Sequence, residues 1–155
     1  MTQQDKIYLH AWRTATDDSQ ARYDRRMNAI LASSSRSVPM NVGCRKIVLN
    51  HLDWSSESLS PLISVTEDRE WAFQEARRRK KQGETNVVVH EICISKRRLR
   101  KYERRGKRIS YRHVYKWLDL ARARLPRYAN YACTDQEHLF LHEIPGIFIV
   151  KTFKV

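Results

Sequence analysis

A chain of 155 residues with 41% hydrophobic content has enough apolar material for one packed domain, residues 1–155, and is not a disordered tail. No apolar run reaches the ~18 residues a membrane span needs, and the start, MTQQDKIYLHAWRT, does not read as a secretory signal, so an intracellular setting, cytoplasmic or nuclear, is expected. Thirty Lys and Arg against seventeen Asp and Glu leave a net charge of +13, which favours polyanionic partners, nucleic acid first and an anionic membrane surface second.

Ile7–Arg13, IYLHAWR, is rich in aromatic and β-favouring types and predicts a strand. Residues 14–45 are polar, with a short helix expected around Ala21–Ala32 and a serine-rich loop after it. Pro61–Val65, PLISV, predicts a second strand. In the helix that follows, Thr66 is the expected N-cap, and Glu67, Asp68 and Glu70 suit the positive end of the macrodipole. Trp71, Ala72, Phe73 and Ala76 give that helix its apolar stripe, and it runs through RRRKK to a stop at Gly83. Asn86–Ser95 predicts a strand with Ile92 and Ile94 on one face and Glu91 and Cys93 on the other. Lys96–Arg108 is strongly basic, Ser110–Leu125 has helical spacing through Val114, Trp117, Leu118 and Ala121, and Pro126 ends it. Two late strands are expected, His138–His142 and Ile147–Phe153, turned at Pro145-Gly146. The mixed order with strands clustered late predicts an α+β fold.

Cys44, Cys93 and Cys133 lack CxxC pairing, which argues against a disulfide framework or a zinc site and for free thiols. His138 and His142 would lie ~13 Å apart along a strand, too far to share a metal, so no metal is expected. Phosphate-cradling glycine loops are absent from the sequence. In the basic run, Lys96, Arg97, Arg98, Arg100, Lys101, Arg104, Arg105, Lys107 and Arg108 are candidates for neutralising phosphates. Tyr102, Tyr111, Tyr115 and Trp117 are candidates for stacking on bases. A localisation signal or an ordinary solvated surface are the other readings of the run.

Three separated pieces belong together: AWRTATDDSQARYD around Arg13, HLDWSSESLSPLISVTEDREWA around Ser64, and DQEHLFLHEIP around Glu137. Over about residues 6–152 they resemble a family of mostly fungal domains of uncharacterised function. Its members read as a strand ending in Tyr-Arg, a His-Leu-x-Trp segment, Ser-Pro-Phe-Ile-Ser before a helix, and a Glu-Tyr-Leu-Phe-Leu-x-x-Ile-Pro strand. The same order is similar to the ADP-ribosyltransferase superfamily of the Arg–Ser–Glu, cholera-toxin-like type. That resemblance implies a split two-sheet core with flanking helices, and NAD as substrate.

Carried over, the superfamily arginine falls on Arg13, with Trp12 in place of Tyr; an alternative register puts Tyr8 at the aromatic and Leu9 at the arginine. The Ser-Thr-Ser motif falls on Ser64-Val65-Thr66, departing at Val65, and the glutamate falls on Glu137, with Asp135 two residues before it. The implied roles are as follows. Glu137 stabilises positive charge on the ribose as nicotinamide leaves, Arg13 binds the pyrophosphate, and Ser64, helped by Thr66, positions the carboxylate or the ribose. Asp135 accepts the proton of the attacking nucleophile. In the His51-Leu52-Asp53-Trp54 segment, His51 either touches substrate or caps the core formed by Leu52 and Trp54. The expected function is transfer of ADP-ribose from NAD to a macromolecular acceptor, with nucleic acid or a nucleic-acid-bound protein favoured by charge. The alternative is a catalytically inactive domain of this fold that binds nucleic acid or a protein partner. An NAD-using enzyme that removes a 2′-phosphate from RNA would need a compact Arg and His phosphate pocket, for which no motif stands out.

Overall fold

A computed structural model describes residues 4–53, 56, 58–127 and 132–155. Its elements run β1 (Ile7–Ala15), β2 (Arg22–Asp24), β3 (Ala29–Leu31), α1 (Arg45–Leu52), β4 (Leu62–Thr66), α2 (Arg69–Lys81), β5 (Val88–Ser95), α3 (Lys96–Glu103), β6 (Tyr111–His113), α4 (Val114–Leu120), β7 (Glu137–Leu141), β8 (Glu143–Pro145) and β9 (Ile149–Lys154). The class is α+β, with a six-stranded antiparallel sheet in the order β6-β7-β4-β1-β5-β9 and a three-stranded sheet, β2-β3-β8. No described helix is long and apolar enough to cross a membrane.

Strand alternation divides the large sheet into two unlike faces. One face carries Leu9, Ala11, Ile63, Val65, Ile92, Ile94 and Phe140, which pack on Ile30 and Ile144 of the small sheet, on Phe148 and on Tyr102 of α3. The other face carries two separate apolar clusters. Leu62 and Leu139 pack under α1 and α4 through Val48, Leu52, Val114 and Trp117. Trp12 and Val89 pack under α2 through Ala72 and Ala76. Between these clusters the sheet surface is polar, and the site lies there.

Helix α2 shows how local sequence fixes an element. Asp68, not Thr66, is its N-cap, with the carboxylate accepting from the Trp71 N–H at 3.0 Å. Thr66 is the last residue of β4, and its hydroxyl accepts from the Asp68 N–H. The basic residues Arg78–Lys81 stand at the negative end of the helix.

Several expected elements change. Ala21–Ala32 is no helix: β2 and β3 form a hairpin, Arg22 opposite Leu31, with Asn28 left-handed at φ 47° and the Asp24 carboxylate accepting from the Met27 N–H. Such side-chain bonds compete with helix formation, and burial of Ala29 and Ile30 against β8 decides for strand. The stretch 110–125 begins as β6, paired to β7, and only then turns into α4, capped by the His113 side chain. The late strands are not a hairpin. β7 lies beside β4, β9 lies on the opposite edge beside β5, and β8 between them joins the small sheet. Left-handed His142, φ 68°, marks where the chain leaves one sheet for the other.

Candidate functional site

The six-stranded sheet is pinched at its centre. β1 and β5 share a long ladder from Ile7 to Ala15, and β4 and β7 one from Leu62 to Thr66, whereas β1 meets β4 through a single register pair, Trp12 opposite Thr66. Where that ladder would continue, the Arg13 side chain enters the gap. Its Nη1 donates to the Ser64 carbonyl at 3.2 Å, taking the place of a strand N–H, and Nη2 donates to the Ala21 carbonyl at 3.3 Å. A cleft of about 410 Å³ opens there, and Arg13, Ser64, Thr66, His51 and Glu137 all line it. The volume falls within the ordinary range for small-molecule sites. Arg13 lines the cleft, whereas Leu9 of the alternative register is buried in the core.

Alternation explains the departure at Val65. Ser64 and Thr66 project to the cleft face, while Val65 points the other way into the core and is 3% exposed. Val65 thus belongs mainly to the core, although it also borders the cleft between Ser64 and Thr66.

The electrostatics follow from burial. Glu137, 9% exposed and opposite Thr66, has its carboxyl pushed up to about 7 by desolvation, with the Ser64 hydroxyl pulling the other way. Its Oε1 is buried without a hydrogen-bond partner. Desolvation and the charge of Arg79 lower Arg13 to about 10. Arg13 makes no ion pair among the described residues, and its Nε is also buried without a partner. Burial and the nearby Arg13 charge lower both His51 and His90 to about 4, so both rings are neutral at pH 7. The result is a half-desolvated cation with no carboxylate beside it, a setting that favours an anion.

His51 comes from the last turn of α1, a helix set by Cys44, Ile47, Val48 and Leu52 at helical spacing. Both of its ring nitrogens are engaged, Nδ1 with Ser60 Oγ at 2.6 Å and Nε2 with Ser64 Oγ at 2.7 Å. It lines the cleft, as the sequence reading allowed, with both ring nitrogens held by serine hydroxyls. Asp135 is not brought to the cleft. It is exposed, lies outside the cleft lining, and accepts a hydrogen bond from the Tyr115 hydroxyl, while its carbonyl accepts from His113. The 3-10 turn Ala132–Gln136 aims it towards α4 rather than at the site. Trp54 lies outside the described residues.

Other cleft residues were not singled out from sequence: Gln20, Asn50, Ser60, Trp71, Glu75 and Arg79. Trp71, Glu75 and Arg79 recur every four residues along α2, a spacing that puts them on one helical stripe. The buried Glu75 holds Arg79 through Nε at 3.0 Å and also binds Arg78. Burial works against its ionisation, but the two guanidiniums outweigh that and hold Glu75 below the usual carboxylate range.

The basic run lies elsewhere. α3, capped by Ser95, packs through Leu99 and Tyr102 on the face opposite the cleft. Lys96, Arg97, Arg100, Lys101, Arg104, Arg105, Lys107 and Arg108 are exposed, whereas Arg98 donates to the Ile147 carbonyl at 2.7 Å and ties α3 to the core. Tyr102 and Trp117 are buried, and Tyr111 stacks on Phe140, so these rings are not free to stack on bases; Tyr115 alone of the four is exposed. Among the described residues no cluster of metal-binding side chains occurs.

No curated protein matches the chain. A family model described as a domain of unknown function does match it, over residues 8–155, and the chain belongs to that family, DUF7587.

Proposed function

We propose that the central cleft binds NAD and transfers its ADP-ribose to a macromolecular acceptor, on a core of the ADP-ribosyltransferase type. The observation that carries this reading is the convergence of Arg13, Ser64 and Glu137, from three strands far apart in sequence, on one cleft at the pinch of the sheet. The donor set also fits the substrate. An unpaired guanidinium suits a diphosphate, and a carboxylate with an open oxygen suits a ribose that becomes positively charged. In the reaction the bond from the ribose anomeric carbon to the nicotinamide nitrogen breaks, nicotinamide leaves with the electron pair, and an acceptor oxygen or nitrogen bonds to that carbon and gives up its proton to solvent. Glu137 acts as the carboxylate, so this step is favoured at and above a pH of about 7.

The net charge of +13 supports a nucleic acid, or a protein bound to one, as acceptor. Besides Arg13, the cleft is lined by Arg79 at the end of α2, followed along the helix by Lys80 and Lys81. The α3 run, on the other face, can hold a polyanion but cannot present it to the cleft. Nicotinamide release from NAD by the wild type and by Glu137→Gln tests the proposal. Loss of release in the variant is expected. Equal release in both removes Glu137 from the chemistry, and neither release nor a thermal shift with NAD leaves a binding domain of this fold.

A further inference from the structure

Ser60, His51 and Ser64 are hydrogen-bonded in series, and Glu137 stands next to Ser64 on the same cleft, diagonally across the β4–β7 ladder. The Leu62 N–H donates to Ser60 Oγ at 3.1 Å; Ser60 Oγ lies 2.6 Å from His51 Nδ1; His51 Nε2 lies 2.7 Å from Ser64 Oγ. The Ser64 hydroxyl in turn favours the ionised form of Glu137. The far end of the series is fixed, because Ser60 is buried and its N–H donates to Ser33 Oγ at 2.9 Å. The ring is fixed as well, since Val48 and Leu52 are both buried and hold α1 in place.

A neutral imidazole has one N–H, so one of its nitrogens donates while the other accepts. When Glu137 is ionised, the Ser64 O–H points at the carboxylate, Ser64 accepts from Nε2–H, and Nδ1 accepts from the Ser60 O–H. When Glu137 is protonated, its O–H donates to Ser64, Ser64 donates to Nε2, and Nδ1–H donates to Ser60.

We propose that Ser60 and His51 are positioning residues of the Glu137 site, linked to it in a proton-conducting chain whose direction, and with it the His51 tautomer, reverses whenever Glu137 gains or loses a proton. The transfers balance. A proton arriving at Ser60 Oγ passes to Nδ1, Nε2–H passes to Ser64, and the Ser64 proton passes to Glu137. Glu137 alone ends with one more proton, and the ring keeps a single N–H on the other nitrogen. The use of the chain rests on the ADP-ribosyl reading, in which Glu137 must be ionised as ribose charge develops. Through the chain its proton reaches Ser60, which also lines the cleft, and leaves from there to solvent.

Among the described residues, the other charged groups on this cleft are Arg13 from β1, Asp53 after α1, and Glu75 and Arg79 from α2; His138 and Glu67 pair with each other next to Glu137 and Thr66. His51 itself takes a second proton only near 4. Between pH 5.5 and 8.5 a change of its tautomer therefore differs from simple protonation, which would place hydrogen on both nitrogens.

Long-range proton–nitrogen NMR of the His51 ring over that range tests the chain without NAD. The wild type is expected as Nε2–H above about pH 8 and Nδ1–H below about pH 6. Glu137→Gln should hold one tautomer throughout. Ser60→Ala should keep Nε2–H throughout, because Nδ1–H would have no acceptor, while Ser60→Thr, which retains the hydroxyl, should restore the change. A wild type with one tautomer at every pH, or a change that persists in Glu137→Gln, overturns the proposal. Nicotinamide release on the same wild-type sample separates the two claims: a tautomer change without turnover sinks the transferase reading alone, and turnover without a tautomer change sinks the chain alone.

Discussion

Glu137→Gln should make the protein more stable at high pH. Burial lifts the Glu137 carboxyl from 4.5 to about 7. Between those values the folded chain still holds a proton that the unfolded chain has lost, so stability falls as pH rises through the window. The contribution of the neutral carboxyl is complete below about 4.5 and gone above about 7. Glutamine is close in shape to the protonated acid and has no proton to lose. The advantage of the variant is therefore under about 1 kcal/mol at pH 5 and grows to about 3 kcal/mol at pH 8.5. For a chain of this size that is a Tm difference of about 6–12 °C at the higher pH. The buried neutral His51 and His90, lowered to about 4, destabilise both proteins alike as pH falls below 6.5, and cancel in the difference. Thermal and urea unfolding of the two proteins at several pH values between 5 and 8.5 measure it. The same difference at both ends, or a variant that is less stable at pH 8.5, refutes the placement of Glu137 in a dry site with an unpaired oxygen.

Other perturbations read separate parts of the structure. Val65→Thr restores the hydroxyl of the superfamily motif but aims it into the core. Urea unfolding should show a loss of about 1–3 kcal/mol, with no gain in nicotinamide release. Arg13→Gln removes the unpaired cation, and calorimetry should show at least about a tenfold loss of ADP-ribose affinity, the scale of one charge-assisted bond. Gln at Arg97, Arg100 and Lys101 should flatten the salt dependence of nucleic-acid binding, read by fluorescence anisotropy, yet leave hydrolysis of free NAD unchanged, because α3 lies across the sheet from the cleft. Asp68→Ala removes the N-cap of α2 and should cost about 1 kcal/mol in chemical denaturation.

Where the sequence carries a clear period, the fold was legible. Ile92 and Ile94 share the core face of β5, and Val114, Trp117, Leu118 and Ala121 line one side of α4 and the turn after it, as their spacing requires. The hairpin at 22–31 was not legible, because RYD and AIL are too short to show a period and their strand character comes from burial of Ala29 and Ile30 against β8. The register of Glu137 opposite Thr66 is likewise a long-range fact that no local pattern encodes. α1 could have been found, since Cys44, Ile47, Val48 and Leu52 already stand at helical intervals. So could the stripe Trp71, Glu75 and Arg79, whose polar members hid it in a helix read for its apolar face.

The site owes its existence to a core that does not close. Had Ser64, Thr66 and Glu137 been apolar, the cluster beneath α1 and α4 would merge with the one beneath α2, and the strands would have reason to zip beyond Trp12 and Thr66. Arg13 prevents this twice over: its guanidinium satisfies the Ser64 carbonyl that a β1 N–H would otherwise meet, and its charge needs a polar surrounding. Burial, with the Arg13 charge adding to it, keeps His51 and His90 neutral, so the ring beside Ser64 can both donate and accept. A buried cation without a carboxylate partner lowers stability, and here it stands where the polar groups of three strands meet. That is the arrangement expected when a fold gives up packing to receive an anion, and under the proposed function it makes Arg13, rather than the longer basic run on α3, the anion-binding group of the domain.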